Sequence, residues 1–115
     1  MSVTIYHNPR CSKSRQTLQL LEDRNIDAAI VEYLKTPPSA KELKSILSQL
    51  NLSARELMRK NESAYKEKNL SNDELSEEQL ISAMLEDPIL IERPIVVANG
   101  QARIGRPPES VLEII

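Results

Sequence analysis

Val3-Thr4-Ile5-Tyr6-His7-Asn8-Pro9-Arg10-Cys11-Ser12-Lys13-Ser14-Arg15 decides the reading of the chain. The first four residues alternate in a short β-prone run, which suits a first strand. A helix follows from Ser12 to about residue 24, with Leu18 and Leu21 on one side together with Cys11 and Ser14. Cys11, the only cysteine, thus falls where strand turns into helix. A thiol there meets unpaired backbone N–H groups and the positive end of a helix dipole, with Arg10, Lys13 and Arg15 nearby. These influences favour the thiolate, which is the nucleophilic form. An ordinary thiol ionises near pH ~8.5, whereas thiols so placed reach roughly 3.5–7.5. The alternative, a buried core cysteine, fits poorly with flanking Asn-Pro-Arg and Ser-Lys-Ser.

Residues 28–34 are β-prone and complete β-α-β, which favours a parallel pair with a right-handed crossover. Thr36-Pro37-Pro38 ends that unit. Ser39 with Glu42, Ser53 with Glu56 and Ser76 with Gln79 have the spacing of capping boxes and mark three helix starts. Leu43, Ile46, Leu47 and Leu50 form one apolar stripe, and Leu80, Ile81, Met84 and Leu85 another. Residues 37–87 therefore read as a small helical insertion. After Asp87-Pro88, residues 94–98 and 101–104 flank Asn99-Gly100, the preferred two-residue hairpin turn. Pro107-Pro108-Glu109 opens a last helix whose apolar face is Val111, Leu112 and Ile115. The expected architecture is a single domain over residues 1–115, a thioredoxin/glutaredoxin-like α/β sandwich with an all-helical insertion at about 37–87.

At 115 residues the chain can bury one modest core, which must be aliphatic because there is no Phe or Trp. A net charge of −2 argues against a nucleic-acid or membrane-surface binder. Residues 93–108 nevertheless hold Arg93, Arg103 and Arg106 with no acid, a stretch suited to an anion, while residues 69–91 hold six acids and no base. One cysteine and one histidine exclude an internal disulfide and a self-sufficient zinc site, so no metal is expected. No signal peptide and no membrane span are visible, and a lone reduced thiol suits the cytoplasm.

The pattern Cys-x-x-Ser closes off a dithiol cycle, so an outside thiol such as glutathione must resolve any adduct on Cys11. A tyrosine-phosphatase loop requires an arginine after five intervening residues. Arg15 comes after three, and Thr17 occupies the required place. Arg59, Arg93 and Arg106 are either ordinary surface residues or a convergent set of oxyanion forks, and spacing alone leaves this open. Pro94 reads as a strand-edge proline or as a cis proline beside the reactive cysteine. His7 reads as a satisfied loop histidine near the site, and Ser14 either donates to the sulfur or completes the helix cap.

Five ordered blocks carry a resemblance over nearly the whole chain: residues 6–15, 32–38, Glu56-Leu57-Met58-Arg59-Lys60-Asn61, Glu92-Arg93-Pro94-Ile95-Val96-Val97 and residues 103–109. The chain resembles the glutaredoxin-linked arsenate reductases of the thioredoxin superfamily, most closely their YfgD-type branch. It departs at Arg10 and at Ser12-Lys13, where these reductases usually carry small residues and Gly-Thr. The resemblance implies Cys11 as nucleophile, Arg59, Arg93 and Arg106 as oxyanion ligands, His7 and Ser14 lining the site, and Pro94 in the cis form. It also implies glutathione as co-substrate, glutaredoxin as partner and no tightly bound cofactor. Competing readings on the same fold are a non-catalytic thiol-based regulatory or binding protein and a monothiol deglutathionylase.

Overall fold

The computed structural model describes residues 2–115. The chain divides into two compact units, one formed by the chain up to Thr36 together with Arg93–Ile115, the other by Pro37–Glu92.

In the first unit, β1 (Val3–His7), α1 (Ser12–Asp23) and β2 (Ala28–Glu32) form the expected parallel crossover. β3 (Ile95–Ala98) and β4 (Gln101–Ile104) complete a four-stranded sheet of order β2-β1-β3-β4, in which β3 runs antiparallel to β1 and β4. The fold is thioredoxin-like α/β. Alternation along β1 turns Val3 and Ile5 inward, where they meet Leu21 of α1, Val96 and Ala98 of β3, and Val111 and Ile114 near the C-terminus. This core is aliphatic throughout.

Several boundaries differ from the sequence reading. β2 stops at Glu32, because the Glu32 carbonyl accepts from the amides of Lys35 and Thr36 at 2.9 Å each and the chain turns. The buried face of α1 is Ser14, Thr17 and Leu21, with Leu18 only partly covered. The closing element, Pro108–Ile114, is a 3₁₀ helix. Pro107 precedes it as the N-cap and Pro108 is its first residue, which marks its start.

The second unit contains α2 (Ala40–Leu50), α3 (Ala54–Leu57), α4 (Ser63–Glu67) and α5 (Glu77–Glu86), followed by a 3₁₀ turn at Pro88–Leu90. All three capping boxes form: the Ser39, Ser53 and Ser76 hydroxyls accept from the amides of Glu42, Glu56 and Gln79, and each N3 side chain returns the bond. Helix α4 escapes sequence reading because Glu62 provides no side-chain cap. Leu43, Ile46 and Leu47 face inward from α2, as do Leu80, Ile81, Ala83 and Met84 from α5. An antiparallel bridge between Met58 and Ile91 joins the two ends of the unit, with Arg59 N donating to Leu90 O at 2.7 Å. Arg55, unremarked in the sequence, ties α4 to the loop after it by donating to Tyr65 Oη on the helix and to Leu70 O and Asn72 O beyond it. Among the described residues, no helix is long and apolar enough to cross a membrane.

The chain has only two glycines, and asparagine takes the left-handed positions. Asn25, Asn51, Asn69 and Asn99 have φ of 59°, 60°, 58° and 54°. Asn51 caps the C-terminus of α2, and Asn99 with Gly100 (φ 73°) makes the expected hairpin turn. Asn51→Ala places a Cβ-constrained residue in this region without asparagine's local polar compensation, so it is expected to lower stability by about 1 kcal/mol in urea denaturation. Asn51→Gly should retain stability.

Candidate active site

Strand register brings the site together. Tyr6 pairs with Ile95, and Ile95 with Ile104, so the end of β1, the start of β3 and the end of β4 lie at one end of the sheet. Cys11 follows β1, Arg93-Pro94 precedes β3, and Gly105-Arg106 follows β4. Residues separated by more than 80 positions in sequence therefore meet at one sulfur.

Cys11 is the N-cap residue of α1, with φ −94° and ψ 124°. Its amide donates to Asn8 O at 3.0 Å, which closes the turn, and its carbonyl accepts from Arg15 N at 3.0 Å, which starts the helix. The residue is 8% exposed. Burial pushes the thiol pKa up, but the opposing influences prevail and it lies below its ordinary value. Those influences are the Ser14 amide, the Arg93 charge, the Lys13 amide and a hydrogen bond from the Arg93 side chain. Arg106 adds a contact from Nη2 to Sγ at 3.5 Å, and its Nε is braced on Arg93 O at 2.8 Å.

This corrects the sequence reading of which cations act on the sulfur. Lys13 acts through its backbone amide, and Arg15 is committed elsewhere, donating from Nη1 to Pro9 O at 3.0 Å. Arg103 also stands apart, with Nε on Glu113 at 2.9 Å. Of the arginines in the acid-free stretch, Arg93 and Arg106 are the two that reach Cys11. Arg59 belongs to the second unit, where its guanidinium pairs with Glu62 at 2.7 Å and contacts Ile89 O at 3.4 Å.

Ser14 and His7 are both buried, and they bond each other: Ser14 Oγ lies 2.6 Å from His7 Nδ1. The same hydroxyl accepts from Asn8 N at 3.0 Å. Ser14 therefore steadies the loop with its hydroxyl and serves the sulfur with its amide, which differs from both sequence alternatives. Burial lowers the His7 pKa and Arg15 adds to this, while Glu32 opposes it, so the imidazole stays neutral near pH 7.

The Arg93–Pro94 peptide is cis, and so is Arg106–Pro107. Pro94 packs against a residue that the sequence reading overlooked. A Cβ on Gly105 would lie 2.5 Å from Thr17 Oγ1 and 2.8 Å from Pro94 Cγ. Gly105 N also donates to Pro94 O at 2.9 Å. The bare backbone of Gly105 thus lets α1, Pro94 and the segment leading to Arg106 pack together. The only available signal was that Gly100 satisfies the hairpin while Gly105 has no turn to explain it.

Three outcomes follow from this geometry. Alkylation of Cys11 by iodoacetamide tracks the thiolate fraction, so its rate should reach half-maximum below pH ~8.5. Arg93→Ala should move that midpoint upward, because removing a cation disfavours the charged form. Gly105→Ala should cost about 1–3 kcal/mol through overpacking, read by urea denaturation.

The ArsC family profile matches residues 6–114. Protein YfgD of Escherichia coli (strain K12) is 60% identical over 114 residues, covering 98% of this chain and 96% of YfgD. An arsenate reductase of Haemophilus influenzae is 51% identical, with complete coverage of both chains. The structure of an arsenate reductase from Vibrio cholerae superposes with a TM-score of 0.97 at 59% identity, covering 100% of this chain and 98% of that one. A sequence match spanning nearly the whole chain, joined to this thioredoxin-like sheet, places the protein in the ArsC family.

Proposed function

We propose that the chain is an arsenate reductase in which Cys11 is the single nucleophile, with glutathione and glutaredoxin supplying the electrons. The observation that carries this reading is the pairing of a pKa-lowered thiol with two guanidinium groups, Arg93 and Arg106, at one sulfur. Arsenate is a dianion near neutral pH, and a thiolate approaching it meets like-charge repulsion. Two fixed cations offset that repulsion and favour the charge that accumulates during displacement. Arg59 is assigned as a third oxyanion ligand on the family resemblance. The curated relatives named arsenate reductase support the substrate class.

In the first step the Cys11 thiolate attacks arsenic and displaces one oxygen as hydroxide, leaving an S–As(V) adduct. A thiol then attacks the Cys11 sulfur. An S–S bond forms, the S–As bond breaks, and its electron pair stays with arsenic, which leaves as arsenite carrying the thiol proton. A second thiolate, delivered through glutaredoxin, reduces the mixed disulfide and frees Cys11. Across the cycle two thiols become one disulfide, and As(V) becomes As(III). The ring of His7 takes no proton in this sequence; it holds Ser14, and Pro94 lines the site. No tightly bound cofactor or metal enters. A reduced thiol and a glutathione supply both fit the cytoplasm.

A coupled assay of NADPH consumption with arsenate, glutathione, glutaredoxin and glutathione reductase tests the reading. Wild-type protein should turn over arsenate, and Cys11→Ser should abolish it. Arg106→Ala should lower kcat/KM for arsenate by about 10²-fold or more, as the loss of one preorganised oxyanion donor does elsewhere. Absence of arsenate-dependent turnover, with Cys11 still alkylated at low pH, would overturn the proposal and favour a non-catalytic binding role.

A further inference from the structure

A chain with one cysteine needs an outside thiol for every turnover, and that thiol has to be held near Cys11. The first unit carries a cavity of ≈ 250 Å³ beside the nucleophile's own turn. One wall is His7, Asn8 and Arg10, and the other includes Glu32, Leu34 and Lys35. Asn8 O accepts the Cys11 amide at 3.0 Å and Arg10 precedes Cys11 in the chain, so that wall and the nucleophile share one piece of backbone.

The charges of this cavity do not suit the small oxyanion. Arg93 and Arg106, the cations at the sulfur, do not line it, and the carboxylate of Glu32 would repel a dianion. What it offers is two cations, Arg10 and Lys35, one anion, Glu32, and an apolar surface at Leu34, which is 40% exposed. Lys35 and Glu32 approach at only 3.6 Å with both side chains well exposed, an arrangement that a ligand's own charges can readily replace. The complement is a small molecule with two carboxylates, one ammonium and a short linkage between them whose methylene groups can lie on Leu34.

We infer that this cavity seats the reducing co-substrate, a small peptide thiol whose two carboxylates meet Arg10 and Lys35 and whose ammonium meets Glu32. The inference rests on the thiol-dependent chemistry proposed above and assigns a place to its electron donor. From this seat the thiol sulfur forms the S–S bond to Cys11 as the S–As bond breaks and arsenite departs with the thiol proton, so atoms and electrons balance as before.

Two measurements separate this inference from the reading beneath it. In the first, S-methylglutathione, which cannot react, is titrated into ¹⁵N-labelled protein. Amide shifts should cluster at Arg10, Glu32, Leu34 and Lys35, and the doubly charge-reversed variant Arg10→Glu/Lys35→Glu should weaken binding at least tenfold. The diethyl ester of the same ligand, which lacks both carboxylates, should bind wild-type protein at least tenfold more weakly. This arm needs no arsenate turnover and decides the cavity even if the reaction is a different one. In the second, steady-state kinetics should show the double variant raising KM for glutathione at least tenfold more than KM for arsenate, with the spectrum of a folded protein retained. Shifts confined to residues outside this cavity, or equal effects on both KM values, would overturn the assignment.

Discussion

Everything in the reactive site depends on the register of three strands. Tyr6 against Ile95 and Ile95 against Ile104 bring the end of β1, the start of β3 and the end of β4 to one end of the sheet. Inward-facing residues enforce that register: Val3 and Ile5 on β1 and Val96 and Ala98 on β3 belong to one buried core with Leu21 and Val111. Sliding β3 by one residue would turn its buried set to the wrong face. It would also carry Arg93 and Pro94 away from the turn that holds Cys11. The aliphatic core therefore does more than stabilise the sheet; it determines where two guanidinium groups stand.

At the sulfur, opposing influences are balanced by different kinds of group. Burial disfavours the thiolate, while backbone amides at the start of α1 and the arginine beyond β2 in the chain, Arg93, favour it, and the latter prevail. Helix N-terminal amides are rigid and cannot be lost to solvent, whereas long arginine side chains need bracing. Arg106 obtains it from the Arg93 carbonyl at 2.8 Å. Ser14 contributes to both tasks, because its hydroxyl is occupied by His7 and Asn8 and its amide remains directed to the sulfur. Close packing completes the arrangement: at Gly105 the backbone passes where any side chain would collide with Thr17 and Pro94.

The second unit follows a different logic, since local signals dominate it. Three reciprocal capping boxes set helix starts, and an asparagine in the left-handed region ends α2. Its longer-range order rests on the Met58–Ile91 bridge and on Arg55, whose guanidinium gathers one oxygen acceptor from α4 and two from the loop after it. Arg59 sits directly after the bridge residue Met58 and is oriented by Glu62.

Features made by neighbouring residues were legible in the sequence. The strand–turn–helix around Cys11, the three capping boxes and the Asn99-Gly100 hairpin are local, because a cap or tight turn is closed by bonds over two to four residues. Helix α4 was missed for the same reason, as Glu62 leaves no cap signature. The identity of the cations acting on Cys11 was not legible. Proximity in sequence pointed to Arg10, Lys13 and Arg15, yet Arg15 turns to Pro9 O while Arg93 and Arg106 arrive by strand pairing. The role of Gly105 was hidden too, since only tertiary packing reveals what an added Cβ would strike. The sequence by itself determined that there is one cysteine, that it stands at a helix start and that no second thiol in the chain can pair with it. Only the tertiary structure decided which charges share space with that sulfur, because electrostatic influence depends on distance through the folded chain and not along it.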